Sequence, residues 1–83
     1  MNAAQPLSVS VTLGSGLHRY GPTGTKRSMR VPPGARIADL LAALGLQDAE
    51  PLLVARNGRV AAPEDPLEEN DMVWVFPAVG GGA

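Results

Sequence analysis

Val73-Trp74-Val75-Phe76-Pro77-Ala78-Val79-Gly80-Gly81-Gly82-Ala83 is the stretch on which the reading of this chain turns. Valine, tryptophan and phenylalanine favour a pleated, half-buried strand. Consecutive glycines have no side chain to pack and lose the most entropy on ordering, so order is expected to stop near Pro77. The remainder is then a tether. The segment from Pro77 to Ala83, fully extended at ~3.3–3.6 Å per residue, reaches roughly 23–25 Å beyond the last strand. A carboxylate at that distance can enter the active site of another protein. Bare backbone also suits a narrow channel that excludes side chains. Fraying is the ordinary fate of terminal glycines, but these follow directly on the most apolar strand of the chain.

Within that strand, period two separates Val73 and Val75 from Met72, Trp74 and Phe76. Two registers are open. Either the valines face the core and a methionine with two aromatics stands outside, or Trp74 is core. Exposed aromatics are favoured as interface anchors, so the first register makes Trp74 and Phe76 docking residues. Pro77, Val79 and Gly80, at the root of the tether, join them as candidate partner-binding residues.

Upstream, Leu7, Val9, Val11 and Leu13 alternate with Ser8, Ser10 and Thr12 without a miss, which predicts a strand with one wet face. Residues 14–24 hold four glycines and a proline and read as a long hairpin connection, with Leu17 and Tyr20 spaced to pack one helical turn on the sheet edge. Thr25–Val31 reads as a second strand, Met29 and Val31 inward and Lys26, Ser28 and Arg30 outward; its basic face is edge protection first and an acidic partner's dock second. Pro32-Pro33-Gly34 ends it. Ile37, Leu40, Leu41 and Leu44 then recur at i, i+3, i+4, i+7, predicting one amphipathic helix over about residues 36–44 with Gly45 as its C-terminal cap. Arg36 supplies no capping oxygen at its start, while Asp39 complements the dipole. Residues 52–56 read as a strand, Asn57-Gly58 as a tight turn and residues 59–61 as the return strand. The acidic, proline-containing run 62–71 is a connection anchored by Leu67.

One domain is all that 83 residues allow, large enough for a modest core but too small for a cleft walled on all sides. Six arginines and one lysine are scattered and the formal net charge is −1, so no basic patch is available for phosphate backbones and nucleic acid is not an expected partner. With no cysteine, disulfides, thiolate metal sites and cysteine nucleophiles are excluded. His18 is the only histidine and no acidic cluster accompanies it, so no metal site is expected. Neither a signal peptide nor an apolar run of ~20 residues is found; the expected location is the cytoplasm, without membrane association.

The run from Asn70 through Met72-Val73-Trp74-Val75-Phe76-Pro77 to Gly80-Gly81-Gly82 resembles the end of the ubiquitin-like sulfur carriers, the small subunit of molybdopterin synthase and the thiamine-pathway carrier. Asn57-Gly58 and the segment 66–71 resemble their turn and approach to the last strand. The element order of strand, strand, helix, strand, short strand, strand agrees over the whole chain. The resemblance implies an α+β, β-grasp (ubiquitin-like) fold, a mixed sheet of four to five strands with one helix on one face, the last strand lying between the first and third with Val73 and Val75 toward the helix. It implies a domain over residues 1–79 and a flexible tail over 80–83. It implies that this is not an enzyme but the substrate of an E1-like adenylating enzyme, which uses ATP and Mg while this chain binds no cofactor. A persulfide enzyme then donates sulfur, and the resulting thiocarboxylate serves a synthase, whose large subunit is a further partner. Gly82 and Gly81 would be the reacting end. Ala83 departs from the pattern: a processing protease removes it, or it is foreign to the natural chain, or this member is not activated. The first is the expectation here. Molybdopterin synthesis is favoured over thiamine by the Phe76-Pro77-x-Val79 run. Conjugation to proteins as a ubiquitin-like modifier, or a plain interaction module without tail chemistry, are the competing readings.

Overall fold

Alternation makes Leu7–Leu13 the first strand, β1, with Val9, Val11 and Leu13 buried on one face. The computed structural model describes residues 5–46 and 51–78. β1 is followed by a single 3-10 turn at His18–Tyr20. Leu17, just ahead of it, is 1% exposed and Tyr20 packs against the same core. The expected turn is therefore present, and it plugs one end of the core. β2 is Arg27–Val31, two residues shorter than expected at its start. The loop is still closing there: the Gly24 N–H donates to the Leu13 carbonyl at 2.9 Å, and pairing with β1 runs only from Val11↔Arg27 to Leu7↔Val31.

The helix, α1, is Ile37–Ala43. Ile37 and Leu40 are fully buried, each contributing about 1.5–3 kcal/mol by leaving water, and Leu41 and Leu44 lie at the core's margin. Gly45, at φ +78°, closes the helix as its sequence position predicts, and the Leu46 N–H returns to the Leu41 carbonyl at 2.9 Å. The missing N-terminal cap is replaced from elsewhere. Orphan N–H groups of Ile37 and Ala38 donate to the carbonyls of Asp65 (2.9 Å) and Pro63 (2.8 Å), while the Asp39 carboxylate accepts from the Arg36 N–H at 2.8 Å. The connection after β4 thus lends its backbone to the start of the helix, satisfying donors that a serine or threonine cap would otherwise serve.

β3 (Leu52–Arg56) and β4 (Arg59–Ala61) form a hairpin over Asn57 and Gly58. Both turn residues have positive φ, +53° and +86°, as a two-residue primed turn requires. β5 (Met72–Pro77) completes a sheet of order β2-β1-β5-β3-β4. It runs parallel to β1 (Val11↔Val73, Leu13↔Val75) and antiparallel to β3 (Val54↔Val75, Leu53↔Phe76). Val73 and Val75 are buried with Ile37, Leu40, Leu46 and Leu67, so the valines-inward register is the observed one. Leu67 anchors the acidic connection as expected, 4% exposed.

Asp71 is the charged residue buried at the head of β5. Its carboxylate accepts from Arg56 Nε (2.5 Å), Asn57 Nδ2 (2.9 Å) and the Glu68 N–H (2.7 Å). Asn57 in turn accepts the Met72 N–H at 2.9 Å and donates its own to the Met72 carbonyl at 2.7 Å. The β3–β4 turn, the end of the acidic connection and the start of β5 are pinned together. Burial pushes the Asp71 carboxyl up, but the hydrogen bonds from Arg56, Asn57 and Glu68 outweigh it and hold its pKa below the ordinary carboxylate value. Such a group stabilises the fold above its unfolded pKa of about 3.9, and that contribution disappears as pH falls through the lower folded value. Asp71→Asn is expected to cost about 2–3 kcal/mol at neutral pH, from the lost charge-assisted bonds. Denaturant titrations across pH should show the gap to the parent protein fading below about pH 4.

Candidate functional site

The face of the sheet away from α1 is where the sequence places its docking residues. Parity puts Met72, Trp74 and Phe76 of β5 on that face, with Leu53 and Ala55 of β3 opposite Phe76 and Trp74, and Val60 of β4 opposite Ala55. Val60 is 74% exposed, Met72 46%, Leu53 43% and Trp74 40%. An apolar patch spanning three strands is left facing solvent, a feature that marks interaction surfaces. Trp74 and Phe76 stack with centroids 5.9 Å apart and planes 13° from parallel, so the aromatics are held in one orientation before any partner arrives.

The patch has a polar margin. Toward β1 and β2, the same face carries Ser8, Ser10, Ser28 and Lys26 around an open hollow of about 290 Å³. The hollow holds one amine and serine hydroxyls but no acid–base pair, and so has the groups of a rim rather than of a catalytic cleft. Among the described residues no group of three or more histidine, cysteine or acidic side chains is placed to hold a metal ion, and no helix is long and apolar enough to cross a membrane.

Of the residues singled out in the sequence, Trp74, Phe76 and Pro77 come together at the end of β5. Phe76 and Pro77 are half-buried, and the Ala78 N–H donates to the Pro51 carbonyl at 2.8 Å, fixing the chain as it leaves the sheet. Val79, Gly80, Gly81 and Gly82 lie outside the described residues. Leu53 and Val60 are members of the patch that sequence reasoning missed. Leu52-Leu53-Val54-Ala55 is apolar on both parities, so no alternation reports which leucine is outside. Val60 is visible only by counting back across the Asn57-Gly58 turn.

The ThiS family model matches residues 22–82, from within the first loop through the three glycines. The chain belongs to the ThiS family. ThiS-family proteins are small ubiquitin-like sulfur carriers, and the fold agrees. A protein of Pyrococcus furiosus assigned as molybdopterin converting factor, subunit 1, is 23% identical, with a TM-score of 0.74 over 88% of this chain and 99% of that one. Small archaeal modifier protein 1 of Haloferax volcanii is 24% identical, with a TM-score of 0.72 and the same coverages. The ubiquitin of Caldiarchaeum subterraneum is 13% identical, with a TM-score of 0.62 over 94% of this chain and all of that one. At these identities the likeness is one of fold. No curated protein sequence matches the chain significantly.

The two faces of β5 make opposite demands, and substitution should separate them. Val75→Ala in this ThiS-family chain is expected to lose about 2–3 kcal/mol, the transfer and cavity cost of a buried side chain. Trp74→Ala should lose only about 1 kcal/mol, mainly its stacking on Phe76. Guanidinium denaturation of both variants checks the ranking.

Proposed function

We propose that this protein carries sulfur for molybdopterin-type cofactor synthesis, as a thiocarboxylate formed on the carboxyl group of Gly82. The observation that supports this reading is the family match running through the glycines to Gly82, on a body whose aromatic face ends where that segment begins. The resemblance of Phe76-Pro77-x-Val79 to the molybdopterin carriers supports that destination over thiamine.

A free carboxylate is a poor electrophile: its charge repels nucleophiles and its leaving group would be oxide. Activation has to come from outside. In this reading an E1-like enzyme attaches the carboxylate to AMP, consuming ATP with Mg and releasing pyrophosphate. The outer sulfur of a persulfide then displaces AMP to give an acyl disulfide with the donor, and a thiol of the sulfur-donating partner attacks the donor's inner sulfur, ending in a disulfide with it and releasing the thiocarboxylate. Its sulfur is a good nucleophile for a synthase to use. Removal of Ala83 by a protease precedes these steps, and residues 80–83 act as the tether of a body formed by 1–79. The chain contributes no acid or base. Met72, Trp74, Phe76 and Leu53 dock the partner, and the tail delivers the carboxylate, so the contribution is one of positioning.

A second reading is transfer of the activated glycine to lysines of other proteins, favoured by the structural likeness to small archaeal modifier protein 1. Lys26 is the only lysine, so chain building would depend on that one side chain. Mass spectrometry of protein from its native host is expected to find a terminus at Gly82, a fraction with one oxygen replaced by sulfur; isopeptide-linked adducts in its place would establish the modifier. An Ala83 carboxylate intact under all conditions would defeat both. Deleting residues 81–83 should abolish sulfur transfer, whereas a plain interaction module would be unaffected.

A further inference from the structure

The outer rows of β1 and β5 run side by side, and the first ends in a glycine where the second ends in a ring. Ser10 stands beside Met72 and Thr12 beside Trp74, and the next position, Gly14, has no side chain where Phe76 has a ring. Gly14 is buried, and its N–H donates to the Val75 carbonyl at 2.7 Å. A Cβ built on it would overlap Phe76 Cδ1 and come within 3.0 Å of Cε1 and 3.2 Å of the Val75 carbonyl oxygen. Its φ is not among the positive ones, so the obstacle to a side chain is the space: the Phe76 ring first, and the Val75 carbonyl second. Gly16 adds a second contact. A Cβ there would lie 3.0 Å from Pro77 Cγ, and its φ of +101° is one that L side chains rarely adopt. On the far side, β3 holds the same two residues through Leu53↔Phe76 and Leu52↔Pro77.

We propose that Gly14 and Gly16 are positioning residues, a seat in which Phe76 and Pro77 lodge so that the chain leaves the sheet at Ala78 in one fixed direction. The role rests on the carrier reading above and adds residues to it from a loop with no part in the docking patch. A methyl group at position 14 must turn the Phe76 ring off Trp74 or lift the last residues of β5. Either movement re-aims the tether at its root. A misplacement of about 1 Å far from a reacting centre can cost about 100-fold in rate.

The test compares the chain ending at Gly82 with Gly14→Ala, Gly14→Ala/Phe76→Ala and, as a loop control, Ser15→Ala. Amide residual dipolar couplings report the direction of the Ala78 N–H relative to Val73 and Val75. Steady-state adenylation by the host's E1-like enzyme reports function. In Gly14→Ala the Ala78 vector should turn while Val73 and Val75 keep theirs, Trp74 emission should change, and kcat should fall on the order of 10–100-fold with KM within about threefold. Ser15→Ala should match the parent, and Phe76→Ala in the Gly14→Ala background, which removes the δ carbons that the new methyl meets, should bring the Ala78 vector back. An unmoved Ala78 vector in Gly14→Ala, or a moved one with unchanged kcat, overturns the seat. If Gly14→Ala does not fold, the double variant decides: folding with the parent's Ala78 vector identifies Phe76 as the obstacle and supports the seat, and failure to fold overturns it. A parent chain that is not adenylated defeats the carrier reading alone, because the Ala78 vectors still decide the seat.

Discussion

β5 has neighbours on both edges and apolar side chains on both faces, yet the described residues supply only one α-helix. α1 covers Val73 and Val75; nothing in the described residues covers Met72 and Trp74. A sheet strand buried on both faces would be stable and inert, and one polar on its outer face would be stable and unrecognisable. The observed compromise keeps two aromatics stacked and half in water. Their orientation costs little to maintain because each braces the other and Phe76 also rests on Gly14. The same strand that completes the core therefore also presents the outer aromatic face.

Polar groups that the core would otherwise strand are satisfied over long sequence distances. Asp71 is buried, and a lone carboxylate there would be expensive, but it draws donors from β3, from the β3–β4 turn and from its own approach. The start of α1 takes its acceptors from residues 63 and 65, on the far side of a hairpin. Neither arrangement adds apolar contact. Both fix the geometry of segments that hydrophobic burial alone would leave free to slide.

Much of this is legible in the sequence because it depends on near neighbours. The alternation of Leu7 to Leu13, the leucine spacing of the helix and the positive-φ pair Asn57-Gly58 are local patterns with local causes, and each element appears where the pattern places it; Thr12, read onto the wet face of β1, is instead buried beside Trp74. Parity in β5 leaves two registers open, and the family resemblance points to the observed one. The features that escape are non-local. Asp71 looks like any turn carboxylate until Arg56 and Asn57 are brought to it. Backbone carbonyls that cap α1 have no residue-type signature, so the lack of a capping side chain at Arg36 reads as a weakness when the acceptors lie elsewhere. Leu53 and Val60 belong to the outer patch, but a run apolar on both parities hides its own orientation. Gly14 reads as loop punctuation, since nothing short of its position beside Phe76 shows that the missing side chain is a space in use.

The parallel pairing of β1 with β5 joins the earliest strand of the chain to the latest, and the latest lies in the middle of the sheet. The β1–β2 hairpin and the β3–β4 hairpin are therefore joined into one sheet only through residues 72–77. The five-stranded sheet thus exists only in a chain made at least as far as Pro77, so the stacked aromatics and the core valines come into being in the same act.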